Sequence, residues 1–318
     1  MDTTGSSSLF FCPPVNHHHH RTSFHEISQL PPAHPPFYTK AASRKDQPQM
    51  DTNGHEDSSL PVTAPEPQSS EPHEPQEWKP LLANAVRVFE DAVARHQRVA
   101  LLYSGGLESS LLLHLAEPHR DNVTIYNVRT GAEFPHMIAF MDRKLSGWDH
   151  KVVTSDLTDF FLSEGIPSKV VPIEHISFIG LAAKRPHIAP WTRCCGRHRG
   201  DVGWEAIRAD GIGCAIGGRC ASDGNNLAPL EQPGIECVEP LWHLSRENVM
   251  DAVHALGVEV ADHYWNEISS SLDCSICPAR LTPHRRAWMA QRYPDHLAVA
   301  EALHSAVRQA VIAALDGG

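Results

Sequence analysis

The sequence predicts an α/β protein, a doubly wound, mostly parallel sheet starting near Trp78, with a helical C-terminal part and a disordered N-terminal tail. Three observations predict it. From Trp78 on, apolar runs of strand length alternate with apolar patterns of helical period. The first such strand runs through a Ser/Gly turn directly into a helix, as in sheets whose crossovers cover both faces. Residues 1–76 show neither period.

Leu82, Val86, Phe89 and Val93 recur at helical spacing up to His96. Val99 to Tyr103 reads as a buried strand, followed by a Ser/Gly turn and a helix from Ser109 to Leu115. The alternation repeats: Val123 to Val128 is a strand, Phe134 to Leu145 a helix, and Lys151 to Val153 a short strand. Cys214 to Gly217 gives another strand. Ser245 is a candidate N-cap for a helix from Arg246 to Leu256, with Asn248 at the capping-box position. Leu297 to Leu315, rich in Ala and Val, reads as helix.

The sequence thus divides into a low-complexity segment, residues 1–76, and one folded domain, residues 77–318. The first segment holds about half of the 25 prolines, serine runs and the tract His17-His18-His19-His20. Such composition buries too little apolar surface to offset the entropy of ordering. The histidine tract reads as low-complexity tail before metal site. Met50-Asp51-Thr52-Asn53-Gly54 echoes the first five residues, which suggests translation from Met50.

A formal net charge of −11 argues against broad nucleic-acid binding, which needs a basic face. The Arg-rich stretch from Arg280 to Arg292, with Trp288 interleaved, is the one candidate contact for RNA or DNA; a solvated helix face explains it better. No apolar run approaches the roughly 18 residues of a membrane span, and the first residues lack the pattern of a secretory signal. A cytoplasmic location follows as the expectation, and there clustered cysteines suggest metal or catalysis before disulfides.

The turn Ser104-Gly105-Gly106-Leu107-Glu108-Ser109 lies where open α/β sheets bind ligands, beyond the carboxyl end of a strand. Glycines allow close approach of an anion, helix N-terminal amides hold it, and Ser104 and Ser109 add hydroxyls. On this reading Gly105→Val blocks phosphate while leaving the fold intact. The bland alternative is a tight turn without a ligand.

Four stretches in this order resemble the phosphoadenylyl-sulfate and adenylyl-sulfate reductase-like family of PP-loop proteins, within the adenine-nucleotide α-hydrolase-like superfamily. Ser104 to Ser109 resembles the PP-loop, with Leu107 and Glu108 where many members have Lys and Asp. Thr130-Gly131-Ala132-Glu133-Phe134-Pro135 is similar to the family's Thr-Gly-x-x-Phe-Pro element. Gly217-Gly218-Arg219-Cys220-Ala221-Ser222-Asp223 resembles its arginine-bearing strand end. Pro240 to Val249 looks like its Pro-Leu, aromatic, Ser/Thr segment before a helix. The resemblance implies an enzyme that binds ATP or adenylyl sulfate through Ser104, Gly105, Gly106, Glu108, Ser109 and Arg219, with Mg²⁺ as accompanying cation. Arg219 would face phosphate or sulfate bidentately; a surface ion pair is the other reading.

Cys194-Cys195 and Cys274-Ser275-Ile276-Cys277 supply four thiols, a set that suits zinc or iron–sulfur. Adjacent cysteines diverge, which a cubane tolerates better than one tetrahedral ion. The layout resembles the [4Fe–4S] site of the adenylyl-sulfate reductase branch, matched at Cys194, Cys195, Cys274 and Cys277. Arg193, Arg197, His198 and Arg199 would offset the cluster's negative charge. Cys214, Cys220 and Cys237 read as small buried residues, and Cys12 as idle. His114 and His175 read as packing or surface histidines.

The chain departs from the reductases in one respect: they attack sulfur with a C-terminal cysteine, and here none follows Cys277. Three accounts remain. The first is a PP-loop enzyme using the cluster in other sulfur chemistry, with pyrophosphate released from ATP. The second is a true reductase whose nucleophile is Cys220 or comes from a partner, with a thioredoxin-like or other electron donor. The third is a nucleotide- and redox-sensing module without turnover.

Overall fold

The computed structural model of the chain describes residues 78–170, 188–223, 230–266, 268, 271–272 and 274–316. The expected disordered tail, its histidine tract, Met50, Cys12 and His175 lie outside the described residues.

In chain order, helix α1 (Trp78–Arg95) leads to β1 (Val99–Leu102), α2 (Leu107–Leu115), β2 (Val123–Arg129), α3 (Pro135–Leu145) and β3 (His150–Thr154). Then follow α4 (Leu157–Ser163), β4 (Ile166–Ser168), β5 (Ile188–Pro190), α5 (Trp191–Cys195), a π-helical turn (Gly196–Asp201) and α6 (Val202–Ala209). β6 (Cys214–Ile216), β7 (Glu236–Val238), α7 (Arg246–Ala255), α8 (His263–Asn266), α9 (Pro283–Arg292) and α10 (Pro294–Asp316) complete it.

The main sheet has the order β3-β2-β1-β6-β7, and every pairing is parallel. The order reverses between β1 and β6, which opens a crevice at the carboxyl ends of those two strands. Period-2 alternation divides each strand between two cores. Val99 and Leu101 of β1, Val123 and Ile125 of β2, and Cys214 and Ile216 of β6 face a core that also contains Phe89 of α1, Leu111 of α2, Met137 of α3 and Val249 of α7. Ala100, Tyr126 and Ala215 face the other side, where Trp204 and Ile207 of α6 cover them. Both faces are therefore wound, as predicted. Each fully buried leucine of α2 contributes about 1.5–3 kcal/mol of transfer free energy.

Apart from α10, which starts at Pro294 rather than Leu297, the predicted helix ends hold to within a residue or two. At α7 the capping box is complete: Asn248 donates its amide to Ser245 Oγ at 3.2 Å, and Ser245 donates its amide to Asn248 Oδ1 at 3.1 Å. Such a cap stabilises by about 1 kcal/mol. β4, β5 and β7 are additions to the predicted elements, each three residues long. α10 extends the predicted C-terminal helix and is long and apolar enough to cross a membrane by length and composition. Its Leu297, Ala300 and Leu303 are buried against the protein, and Glu301 and Arg308 interrupt its apolar run.

Candidate functional site

The turn after β1 is held by its own atoms. Gly105 has φ +73°, a left-handed conformation that favours glycine. A Cβ there would lie 2.8 Å from Met141 Cγ and 3.2 Å from Met137 Cε. The direction corrects the expectation for Gly105→Val: the added carbon meets the core under α3, so the substitution strains the core rather than leaving it untouched. Gly106 is the N-cap of α2 and brings no side chain to the helix end, which leaves the first-turn amides open to an anion. Ser104 Oγ accepts from the Gly106 amide at 3.3 Å, Ser109 Oγ donates to the Gly106 carbonyl at 3.1 Å, and the two hydroxyl oxygens are 3.3 Å apart. From β6, Gly218 comes so close that a Cβ would sit 3.3 Å from the Ser109 nitrogen. The loop therefore forms one wall of the β1/β6 crevice.

Leu107, at the position where many resembling proteins have lysine, is wholly buried in the core. Glu108 points elsewhere and accepts from Arg246 Nη1 at 2.9 Å. Burial pushes the Glu108 carboxyl up, and Arg246 pulls it partly back. Arg246 also lies 5.7 Å from the ring centre of Tyr264, whose hydroxyl would be 3.7 Å from a Cβ on Gly106. A cation thus reaches the loop from α7. Arg219 is in a bidentate ion pair with the half-buried Glu239, its second contact 2.6 Å, and its guanidinium is 5.2 Å from the Trp242 ring.

At the carboxyl end of β2, Glu133 folds back: its Oε1 accepts from the Thr130 amide and hydroxyl, both at 2.9 Å. The Ala132 carbonyl in this loop accepts from the Ser275 amide at 2.6 Å and hydroxyl at 2.8 Å. Thr130 Oγ1 lies 3.4 Å from Cys274 Sγ. The Thr-Gly-x-x-Phe-Pro element is therefore the dock for the Cys-x-x-Cys turn. Buried Arg285 of α9 donates to the Cys274 carbonyl at 2.8 Å, and His296 bonds the Ser275 hydroxyl at 2.7 Å.

The two cysteine pairs come together. Cys194 packs with Ala132, Phe160 and Ala189, and Cys274 lies against the same cluster. Burial pushes the Cys194 thiol far up, and Cys195, Cys274 and Cys277 act on it electrostatically, so all four share one neighbourhood. Burial raises the Cys274 and Cys277 thiols as well; against it, the Arg199 charge acts on Cys194 and Cys274, and the amides of Ala279 and Arg280, with the charges of Arg285 and Arg280, act on Cys277. The donor set fits an iron–sulfur cluster in kind: four thiols, sulfur-directed amides and nearby cations. The turn after Cys195 is fixed to the sheet by Ser155, which donates to the His198 carbonyl at 3.0 Å.

Cys214 and Cys220 are buried, as expected, and Cys237 is half-buried. Burial, then the charge of Asp223, pushes the Cys220 thiol up to about 11. His114 is exposed. The stretch Arg280 to Arg292 presents one face inward and one to solvent: Arg285, Trp288 and Met289 are buried, while His284, Ala287, Gln291 and Arg292 are exposed; Arg285 serves the cysteine turn, Arg286 pairs with Glu301 at 3.0 Å, and Arg280 stacks on Trp191 at 4.7 Å. Sequence reasoning passed over Arg246, Tyr264, Glu133 and Arg285. Only Arg246 had a signal, its place just after the Ser245 cap.

Comparison with known proteins bears on the same region. The family described as the phosphoadenosine phosphosulfate reductase domain matches residues 98–158. Sulfate adenylyltransferase subunit 2 of Rhizobium meliloti (strain 1021) is 34% identical over 125 residues, 36% of this chain and 38% of that protein. Its counterpart in Methylorubrum extorquens (strain PA1) is 28% identical over 168 residues, 52% of each chain. The chain thus spans between about a third and a half of these relatives' length. Among solved structures it is similar to a phosphoadenylyl-sulfate reductase from Candida auris in a phosphate complex, at TM-score 0.38 and 15% identity over 57% of this chain and 85% of that one. It is also similar to an NH3-dependent NAD synthetase from Campylobacter jejuni, at TM-score 0.42 and 12% identity over 74% and 96%. The segment that carries the anion loop and the strand beyond, residues 98–158, is thus similar to the phosphoadenosine phosphosulfate reductase domain family.

Proposed function

We propose that this chain is an adenine-nucleotide-binding PP-loop enzyme of sulfur metabolism, with a [4Fe–4S] cluster on Cys194, Cys195, Cys274 and Cys277. The observation that carries the reading is the junction of the two sites: one short loop, Thr130 to Pro135, ends β2 beside the anion loop and docks the Cys-x-x-Cys turn.

Ser104, Gly105, Gly106 and Ser109 supply amides and hydroxyls to a phosphate or sulfate. Arg246 provides the charge that lysine supplies elsewhere, moving between Glu108 and the bound anion. Arg219 stays with Glu239 until an anion competes for it. In the PP-loop reaction an acceptor oxygen attacks the α-phosphorus of ATP and the bond to pyrophosphate breaks. The loop amides and Arg246 stabilise the charge that develops on the phosphate oxygens, with Mg²⁺ as the accompanying cation. The cluster, when bound, supplies a one-electron couple or a polarising iron for the sulfur-bearing part of the substrate.

The relatives named sulfate adenylyltransferase subunit 2 support adenylyl transfer, and the word subunit supports a partner chain. The reductase reading requires a nucleophilic thiolate. Cys220 is a poor source of one, being buried with a raised pKa; a nucleophile and electrons would come from a thioredoxin-like partner. One anaerobic assay separates the readings. Pyrophosphate release from ATP supports adenylyl transfer. Thioredoxin-dependent sulfite release from adenylyl sulfate supports the reductase, and tight nucleotide binding with neither product leaves the sensing module.

A further inference from the structure

A second group of ligand-type side chains lies at the other end of the sheet, where β6 and β7 begin. The parallel register sets Cys214 opposite Glu236, so their side chains leave the same face of the sheet. That face is covered by α1, and His96 follows directly after α1. A ring nitrogen of His96, Cys214 Sγ and a Glu236 carboxylate oxygen all lie within 4.8 Å of one another. We propose that His96, Cys214 and Glu236 form a binding site for a zinc-class divalent cation, separate from the four-cysteine centre.

The donor set matches that ion. Imidazole nitrogen, thiolate and carboxylate are all zinc ligands, and one thiolate with one carboxylate neutralises its charge. The two Glu236 oxygens are already divided: Oε1 accepts from Arg95, while Oε2 lies 2.7 Å from His96 Nε2. An ion between His96 Nε2 and Glu236 Oε2 would leave Arg95 on the outer oxygen, orienting the carboxylate from the second sphere. Tetrahedral bonds of ~2.0–2.1 Å place N and O about 3.3 Å apart, so the pair opens by roughly 0.6 Å. Both side chains are partly exposed and can move that far.

The plainer reading is an Arg95–Glu236–His96 ion-pair network without metal. On that reading Cys214 serves only as a small core residue. That thiol is wholly buried beneath the network and has no hydrogen-bond partner among the described residues. Binding would exchange its proton for the metal, the proton leaving to solvent. A cleft of about 570 Å³ lined by Glu90, Arg95, His96, His119 and Asn122 opens beside the histidine, giving water access to the fourth position. The ion would staple the chain entering β1 to the first residues of β6 and β7, each three residues long.

Zinc and iron are counted by mass spectrometry in wild type, His96→Ala and Glu236→Gln, each expressed with added zinc and purified anaerobically. The site predicts about one zinc per chain in wild type, most of it gone in either variant, with iron unchanged. Equal zinc in all three proteins, or none in wild type, would overturn the proposal. Cobalt provides a second readout. A cobalt–thiolate absorbance saturating near one equivalent in wild type and absent in His96→Ala supports the site; a signal that persists in His96→Ala, or none in wild type, overturns it. Iron content is read separately, so loss of the four-cysteine reading leaves this result interpretable.

Discussion

Gly105→Ala tests the anion loop through stability. The added carbon would sit 2.8 Å from Met141 Cγ and 3.2 Å from Met137 Cε, at a backbone φ of +73°. The left-handed conformation costs an alanine about 1–2 kcal/mol, and overpacking a close-fitting core costs a further 1–3 kcal/mol or so. Reduced freedom of the unfolded chain returns about 0.4–1 kcal/mol. The net is a loss of roughly 1–4.6 kcal/mol, a sizeable share of the ~5–15 kcal/mol typical of a folded domain. For a domain of this size that lowers Tm by about 2–18 °C. Urea melts of both proteins, with m compared first, give the difference directly. Met141→Ala in the same chain relieves the clash, so the double variant should lose less than the sum of the single losses. Gly106→Ala is the contrast: its φ is −74°, and its Cβ would meet the Ser104 hydroxyl at 3.2 Å and the Glu108 and Tyr264 oxygens at an ordinary 3.7 Å, so stability should change by under ~1 kcal/mol. A Gly105→Ala protein within about 0.5 kcal/mol of wild type would refute the geometry, since only a position free of strain and clash behaves that way.

Two further outcomes follow from the site. Arg246→Ala should weaken pyrophosphate and adenylate binding by roughly 10–100-fold, the loss of one charge-assisted contact, with partial recovery in Arg246→Lys; calorimetry showing unchanged affinity would mean the loop takes its cation elsewhere. Because the Cys220 thiol is raised from 9.0 to about 11 in the fold, its contribution to stability is complete below the unfolded value and is lost as pH rises through the folded one. Tm should therefore decline between about pH 9 and 11, and Cys220→Ala should flatten the decline; parallel Tm–pH curves for the two proteins would contradict the assignment.

Much of the frame was legible because it is local. β1, the glycine turn and α2 follow one another within a few residues, and the Ser245/Asn248 capping box spans a single helical turn. The strands β4, β5 and β7 were not legible: Ile-Pro-Ser and Ile-Ala-Pro carry a proline, Glu-Cys-Val a charge, and none shows the unbroken apolar run that marked the equally short β6. Nor did the sequence disclose the partners of its charges. Glu108 meets Arg246, and Arg219 meets Glu239, across crossovers that residue types do not specify. The dock for Cys274 was hidden for another reason: the Ala132 carbonyl makes it, and every residue has a carbonyl. At Gly105 the residue type announced a special backbone, but only the fold shows that its missing side chain would point into the Met137/Met141 core rather than at a ligand.

The central claim, an anion loop joined to a four-thiolate cluster, is tested most directly by iron and acid-labile sulfide in anaerobically purified protein, wild type beside Cys274→Ser. The account predicts about four of each per wild-type chain, with a broad visible absorbance, as a [4Fe–4S] cluster on four thiolates requires, and a sharp fall of all three in the variant. A colourless, iron-free wild type would contradict it.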